Sequence, residues 1–148
     1  MILVDEYAAL PALVDMPPAT LADESLALTY SRAYRLTRAL LDPRPGRLEI
    51  RGRFTRLAEA LTATDRQLLH ERLADPDPAV LTIVDPRSLI RTAAAIQNTY
   101  AVSLLQAETL AAAVTHDWAI RFGDHGSLSA PVRQAADELR LDLAVIEP

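Results

Sequence analysis

The sequence predicts a three-layer α/β/α protein in which helices cover both faces of a mostly parallel central sheet. Short apolar, β-prone segments alternate along the chain with helical segments, and this alternation is typical of parallel sheets with helical crossovers. Half of the 148 residues are hydrophobic, which is enough for one core of ordinary size. We therefore expect a single domain over residues 1–148.

The first part of the chain predicts one strand and two helices. Residues 2–4 form an apolar run that ends at Asp5, which favours a short buried strand. The alanine- and leucine-rich residues 7–14 favour a short helix. Thr20 is a candidate N-cap, and we expect one helix over residues 21–41. Its apolar face consists of Leu26, Tyr30, Ala33, Leu36 and Leu40.

The middle of the chain predicts two short helices and a strand. The first helix is expected over residues 53–61, and the second from Thr64 or Asp65 through Leu73. The break at residues 42–46 that precedes them is expected to be a loop within the domain. Residues 80–84 (Val-Leu-Thr-Ile-Val) are the strongest strand signal in the sequence.

The last part of the chain continues the same alternation. The expected elements are a helix over residues 85–100, a helix over 104–115 capped by Ser103, a strand over 118–122, a helix over 130–140 and a strand over 143–146. The full order is strand, helices, strand, helices, strand, helix, strand, which requires crossover connections and hence a parallel sheet.

Composition excludes several kinds of chemistry. The sequence has no cysteine, so disulfides, thiolate zinc sites and cysteine nucleophiles are ruled out. All fifteen cationic side chains are arginine, which rules out a lysine Schiff base and a P-loop lysine. We see no targeting segment and no apolar run of about twenty residues, so we expect a soluble, cytoplasmic protein without a membrane span.

The net charge of −5 hides an asymmetry. Residues 32–72 contain ten arginines against five acids, a balance of +5, whereas the rest contains five arginines against fifteen acids, a balance of −10. A basic middle is typical of contact with a phosphate backbone. The alternative is an ordinary solvated face of arginine-rich helices.

Two acids stand at the ends of predicted strands. Asp5 comes after the first strand and Asp124 after the strand at residues 118–122, and Glu108 lies on the helix that precedes that strand. Sites in parallel sheets lie beyond the carboxyl ends of the strands. Converging carboxylates there would suit Mg²⁺ or Mn²⁺, which can activate water for phosphodiester cleavage. The alternative is that Asp5 and Asp124 only cap the turns that follow them.

Aromatic and cationic side chains alternate at the start of the basic middle. Arg32, Arg35 and Arg38 lie on the predicted helix with Tyr34, and together they are candidates for clamping phosphates and stacking on bases. Tyr30 lies one turn earlier, and we expect it to pack against the sheet instead.

These segments resemble a known family. The opening residues 2–10, with Asp5 after an apolar strand, resemble the start of PIN domains. Residues 100–113, 118–124 and 133–146 resemble the later PIN segments, namely an acid-bearing helix, a strand with a terminal aspartate, and the closing helix and strand. The resemblance covers the first ten residues and about residues 80–148.

The resemblance implies a metal-dependent ribonuclease, in many small bacterial members the toxin of a toxin–antitoxin pair (VapC type). Asp5 and Asp124 match the family's first and last acids. The acid of the later helix falls on Gln106, and Glu108 lies about 200° further around that helix. The glutamate of the second helix has no counterpart, since Tyr30, Arg32, Tyr34 and Arg35 lie there instead.

Three hypotheses follow. The first is a PIN-like Mg²⁺- or Mn²⁺-dependent endoribonuclease acting through Asp5, Glu108 and Asp124, with RNA as substrate and an antitoxin protein as partner. The second is a degenerate PIN-like module that binds nucleic acid or a partner protein without cleaving. The third is an assembly subunit that forms a homodimer through the apolar faces of its alanine-rich helices.

Overall fold

The core of the protein is a five-stranded, fully parallel sheet with the strand order β3-β2-β1-β4-β5. The computed structural model describes residues 1–41 and 53–146. The strands are β1 (Ile2–Val4), β2 (Leu26–Thr29), β3 (Leu81–Val84), β4 (Ala119–Phe122) and β5 (Leu143–Val145). In the register, Leu3 lies opposite Ala27 of β2 on one side and Ile120 of β4 on the other.

Helices cover both faces of this sheet. They are α1 (Glu6–Leu13), α2 (Tyr30–Leu41), α3 (Arg53–Glu59), α4 (Ala63–Ala74), α5 (Ile90–Thr99), α6 (Leu104–His116) and α7 (Ala130–Glu138). Short 3-10 turns at residues 19–21, 86–88 and 125–127 join some of the elements. The three-layer α/β/α prediction is confirmed.

The apolar core consists of two layers, one on each face of the sheet, because side chains along each strand alternate between the two faces. Val4, Leu26 and Leu28 pack on one face with apolar residues of helices α1 to α4. Their neighbours Leu3 and Ala27 pack on the other face with residues of α5 to α7. Successive side chains of a strand point to opposite faces, so a parallel sheet covered on both sides buries every position of its central strands.

One predicted element is wrong. The single helix expected over residues 21–41 is instead a 3-10 turn, the strand β2 and the helix α2. All four residues of β2 are buried, so no polar alternation marks the strand, and Leu26 also fits the helical spacing of the residues that follow. The other expected strands and helices are present, with ends shifted by a few residues. In particular, the helix expected over residues 85–100 begins with a 3-10 turn and becomes α5 at Ile90.

The order of the strands reverses beside β1. From β1 the chain proceeds outward through β2 to β3 and then returns to form β4 on the other side of β1. Ligand sites of open α/β sheets lie at such a reversal, beyond the carboxyl ends of the two strands. This places the ends of β1 and β4, and hence Asp5 and Asp124, at the expected location of a site.

No helix in residues 1–41 and 53–146 is both long enough and apolar enough to cross a membrane. The predicted loop at residues 42–46 lies outside the described residues. So do Arg44, Arg47 and Arg51 of the basic middle.

Candidate ligand-binding cleft at the ends of β1 and β4

A cavity of about 290 Å³, called the cleft below, opens at the reversal point of the sheet. Charged and polar side chains dominate its lining, which includes Glu6, Tyr7, Arg32, Arg35, Asp124 and Ser127. The first turn of α6 forms another wall, through Ser103, Leu105 and Gln106. The cleft thus lies where α6 meets the start of α1, the first turns of α2 and the turn after β4.

Asp5 is fully buried at the end of β1. Its Oδ1 accepts hydrogen bonds from the backbone N–H groups of Ala8 at 2.9 Å and Gly123 at 2.8 Å, and its Oδ2 accepts from Ser127 Oγ at 2.9 Å. The Ala8 bond makes Asp5 the N-cap of α1. Burial raises the pKa of Asp5, although Arg32 and the three hydrogen bonds act in the opposite direction.

Asp124 follows β4 and lines the cleft with its side chain half-buried. Its Oδ2 accepts the backbone N–H of Gly126 at 2.9 Å and caps the 3-10 turn at residues 125–127. Both strand-end acids therefore cap the segments that follow them, as the alternative interpretation expected. Burial raises the pKa of the neighbouring Tyr7, and the carboxylates of Asp124, Glu6 and Asp5 raise it further.

The centre of the cleft is a buried ion pair between Arg32 and Glu6. Arg32 Nη1 donates to Glu6 Oε2 at 2.6 Å, and both side chains are almost completely buried, with 3% and 2% exposed. Arg32 Nε donates to Thr109 Oγ1 of α6 at 2.8 Å, and the guanidinium lies 5.4 Å from the centre of the Phe122 ring. Arg32 is thus held from α1, α6 and β4 and does not present the surface cation expected of a phosphate clamp.

Sequence reasoning missed Glu6. Its partner Arg32 lies 26 positions along the chain, so no local spacing links them. The available signal was the position of Glu6 directly after Asp5, at a strand end that was already a candidate site.

Arg35 lies one turn beyond Arg32 at the mouth of the cleft, with 28% of its side chain exposed. Its Nη1 is 3.2 Å from Glu6 Oε1, which is an ion-pair distance, although the angles do not form a hydrogen bond. Within the described part of the chain, Arg35 Nε and Glu6 Oε1 are both buried without a hydrogen-bond partner. Glu6 therefore lies between two guanidiniums, hydrogen-bonded to Arg32 and paired with Arg35 by charge alone.

Glu108 is not among the residues that line the cleft. It is buried on α6, with 8% exposed, and its Oε2 has no hydrogen-bond partner among the described residues. Gln106, which stands at the family's acidic position, does line the cleft. Its Oε1 accepts the backbone N–H of Ser103 at 2.9 Å, and the Ser103 hydroxyl caps α6 in return. The structure therefore places Asp124 in the lining of the cleft and Asp5 behind it, bonded to Ser127 of that lining, and leaves Glu108 outside the lining.

A divalent metal ion, which the family resemblance implies, does not fit this set of side chains. The carboxylate of Asp5 already accepts three hydrogen bonds. The guanidinium of Arg32 contacts Glu6, and its positive charge repels a second cation. Within residues 1–41 and 53–146, no three histidine, aspartate or glutamate side chains are grouped to hold one ion.

The outer face of α2 carries exposed aromatic side chains. Tyr30 is 53% exposed and Tyr34 is 56% exposed, so the expectation that Tyr30 packs against the sheet is wrong. Arg38 is also exposed and lies one turn beyond Tyr34. The row formed by Tyr30, Tyr34 and Arg38 is called the α2 stripe below, and Arg35 lies between it and the cleft.

Part of the basic middle serves the fold itself. Arg66 Nη2 donates to the backbone carbonyl of Ala58 at 2.7 Å. Arg72 donates to the carbonyl of Leu13 at 2.6 Å and pairs with Asp15 at 2.9 Å. The basic surface is therefore smaller than the charge count of residues 32–72 predicts.

Comparison with known proteins found no relative. No model of a known protein family matches the chain, and no curated protein matches it. The resemblance to PIN domains stays a prediction.

Proposed function

We propose that the protein is a PIN-like module that binds single-stranded RNA without cleaving it. The observation that carries the proposal is the α2 stripe, in which two tyrosines more than half exposed lie one helical turn apart and continue into Arg38. Arg35 connects this row to the cleft. The RNA strand runs along the outer face of α2, past the mouth of the cleft.

The side chains of the stripe suit this ligand. Aromatic rings bind unpaired bases by stacking, which works for every base and contributes about 1–3 kcal/mol per base. An arginine beside them neutralises the phosphate backbone. Large exposed aromatic side chains lose apolar contact with water when a base covers them, so exposure favours a stacking role over a structural one. An acidic protein partner would use the arginines but would have less need of the two rings.

The cleft supports binding without cleavage. Hydrogen bonds occupy the carboxylate of Asp5, and the guanidiniums of Arg32 and Arg35 pair with that of Glu6. Asp124 Oδ2 caps the turn at residues 125–127. Cleavage of a phosphodiester by a metal-dependent nuclease needs carboxylates that are free to hold a divalent ion. The side chains at this place are instead arranged as internally paired charges.

Binding is tested by fluorescence anisotropy with short, end-labelled single-stranded RNAs in EDTA. We expect Tyr34→Ala to weaken binding about tenfold, since one stacked base is lost. Arg38→Glu should weaken it at low salt, and the affinity of the unmodified protein should fall as salt rises. Arg91→Glu makes the same charge change on α5, in the opposite helix layer, and should have little effect.

Two results would reject the binding proposal. One is the absence of RNA binding at low salt, and the other is an affinity that Tyr34→Ala leaves unchanged. Loss of affinity in Arg38→Glu alone, with Tyr34→Ala unaffected, would favour an acidic protein partner over RNA.

The ribonuclease hypothesis is retained as a second candidate because Asp5 and Asp124 do lie at adjacent strand ends. It predicts cleavage of RNA in Mg²⁺ or Mn²⁺ that Asp5→Asn and Asp124→Asn each abolish. An antitoxin partner belongs with this hypothesis alone. We expect no cleavage across a broad panel of RNAs with either ion, and cleavage that depends on both aspartates would overturn the non-cleaving part of the proposal.

A further inference from the structure

We infer that the cleft reads a guanine base of the bound RNA: Asp124 accepts the N1–H and N2–H groups of the base, and Arg35 donates to its O6 and N7 atoms. The base turns out of the strand that follows the α2 stripe. This inference rests on the proposed RNA binding and adds a base preference to it. RNA binding without any base preference would remove the guanine pocket and leave the proposed function intact.

The position of the cleft brings it close to a strand bound on α2. Arg35 lines the cleft and also borders the α2 stripe on the same helix. Its neighbour in the chain is Tyr34, whose side chain is 56% exposed. A strand stacked on Tyr34 therefore passes the mouth of the cleft. A base of a single strand costs little to unstack, so one base can leave the stack and enter.

Asp124 supplies the acceptor. Its side chain is half-buried in the cleft lining, and its Oδ2 accepts the backbone N–H of Gly126 at 2.9 Å. Within residues 1–41 and 53–146 this is its one hydrogen bond, and no arginine pairs with it. Oδ1 is therefore available, together with a second lone pair of Oδ2. A carboxylate accepts two parallel N–H bonds, which is the pattern that guanine N1 and N2 present.

Arg35 supplies the donors. Its Nη1 lies 3.2 Å from Glu6 Oε1 and pairs with it by charge alone, and its Nε has no hydrogen-bond partner among the described residues. The side chain is 28% exposed, so the guanidinium can turn donors toward a ligand without breaking a hydrogen bond. Paired bonds from arginine to O6 and N7 are the commonest specific contact with guanine in DNA recognition.

Tyr7 indicates that this acceptor and these donors face the same space. Burial raises the pKa of its hydroxyl, the carboxylate of Asp124 raises it further, and the guanidinium of Arg35 acts in the opposite direction. Both charges therefore lie near Tyr7, which itself lines the cleft. A flat ring placed between the two side chains would meet both.

The charges of the cleft favour a neutral ligand over an anion. Two carboxylates and two guanidiniums line it, those of Glu6, Asp124, Arg32 and Arg35. A phosphate would lie against the carboxylate of Asp124, which repels it. Among the four RNA bases, guanine alone presents two adjacent N–H donors beside two acceptors. Uracil has one N–H group, and adenine and cytosine have one amino group each.

The test measures the fluorescence anisotropy of end-labelled oligouridine RNAs that differ in one central base, in EDTA. The unmodified protein should bind the RNA with a central guanine about tenfold more tightly than the same RNA with hypoxanthine, which lacks only the N2 amino group. A central 7-deazaguanine, which lacks the N7 acceptor, should also bind more weakly. These comparisons change the RNA alone, so they do not depend on whether any variant folds.

Two variants assign the contacts. Asp124→Asn should lose most of the difference between guanine and hypoxanthine, since an amide presents one acceptor and one donor. Arg35→Met should lose the difference between guanine and 7-deazaguanine. Asp85→Asn is the matched control: Asp85 also stands at a strand end and caps a 3-10 turn, accepting the N–H of Arg87 at 2.9 Å, but it does not line the cleft. This variant should keep both differences.

Guanosine 5′-monophosphate, added as a competitor, separates a base within a strand from a free nucleotide. The α2 stripe also holds the strand, so the RNA with a central guanine should bind at least about tenfold more tightly than the monophosphate. Equal affinity for the two would overturn the assignment of the pocket to RNA.

Three further results decide the matter. Equal affinity for guanine, hypoxanthine and adenine at the central position overturns the inference, as does a preference for guanine that Asp124→Asn leaves unchanged. Absence of binding to all of these RNAs rejects the inference and the proposed function together. A preference for guanine in a protein whose affinity ignores Tyr34→Ala supports the pocket and rejects the α2 stripe.

Discussion

Asp5 and Gly123 join the two strands on either side of the reversal point: the Asp5 carboxylate accepts the backbone N–H of Gly123 at 2.8 Å across 118 positions of sequence. The same oxygen accepts the N–H of Ala8 and so begins α1. One buried side chain therefore links the ends of β1 and β4 to the first helix. The link holds the end of β4, and the cleft-lining residues Asp124 and Ser127 follow directly after it.

The buried carboxyl of Asp5 should make stability depend on pH. Its pKa is raised in the folded protein, so between its ordinary value near 4 and the raised value the folded state holds more protons than the unfolded state. The free energy of unfolding contributed by this group therefore falls as pH rises through that window. Above the raised pKa the contribution is constant.

Asp5→Asn isolates this effect, because an amide can accept the two backbone N–H groups and does not titrate. Urea unfolding of both proteins from pH 4 to pH 8 gives the difference in their free energies of unfolding. The unmodified protein should lose stability relative to Asp5→Asn as pH rises, by at most about 1.4 kcal/mol per pH unit. A difference that is constant or that changes in the other direction would contradict the raised pKa.

The Arg32–Glu6 pair should be strongly coupled. Removing either partner leaves a buried charge without its partner, so Arg32→Met and Glu6→Gln should each lower the free energy of unfolding by about 3–5 kcal/mol. The double variant should lose less than the sum of the two, with a coupling of about 1–3 kcal/mol. Urea unfolding of the four proteins completes the cycle.

The pair of Arg72 and Asp15 is the control for this cycle. Asp15 is 70% exposed, and pairs open to water couple by at most about 1 kcal/mol. Equal coupling in the two cycles would mean that the Arg32–Glu6 pair is not stabilised by its burial.

Gly123 is predicted to tolerate no side chain. A Cβ atom built there would lie 2.5 Å from the backbone N of Ala8 and 2.7 Å from the carbonyl carbon of Tyr7. Because both are backbone atoms of the adjoining α1, one element has to move, and Gly123→Ala should cost about 1–3 kcal/mol. Thermal and urea unfolding measure the loss.

Gly126→Ala is the matched substitution. Its Cβ would meet Asp124 Oδ2 at 2.6 Å, and this carboxylate can rotate away. The loss should be clearly smaller than at Gly123. If the two variants are equally stable, the close approach of β4 to α1 is not the constraint described here.

The wall formed by α6 should depend on its N-cap. Gln106 accepts the N–H of Ser103, and the Ser103 hydroxyl accepts the N–H of Gln106 at 3.2 Å. Ser103→Ala should cost about 1 kcal/mol. Gln106→Glu should preserve stability, since a carboxylate accepts the same bond and favours a helix N-terminus. Unfolding in urea checks both, and a loss in Gln106→Glu as large as in Ser103→Ala would contradict this account.

Periodicity predicted most of the fold but misplaced β2. A strand that lies between polar turns, such as Leu81–Val84, can be recognised in the sequence because its apolar run has clear ends. Leu26–Thr29 is buried on both faces and leads directly into a helix, and Leu26 also fits the helical spacing of α2, so the pattern does not mark the boundary. Tertiary pairing with β1 and β3 decides its conformation, and a single sequence does not display that pairing.

The candidate site was predictable only in part. Asp5 and Asp124 could be placed at one edge of the sheet because each stands at the end of a strand, and the structure puts both there. The buried pair of Glu6 and Arg32 joins two helices through a long-range contact, which leaves no local pattern. Glu108 was predicted as a site residue because a carboxylate suits metal chemistry. It lies on a face of α6 that does not line the cleft.

The junction between β2 and α2 has a mechanical consequence. Thr29 is the last residue of the strand and Tyr30 the first of the helix, so no connecting residue separates them. The strand pairing of β2 with β1 and β3 therefore anchors the first turn of α2. Arg32, in that turn, can move only together with the sheet. This wall of the cleft is preorganised and gives a ligand a rigid edge, so adjustment on binding has to come from the other walls, at Tyr7, the first turn of α6 and the turn after β4.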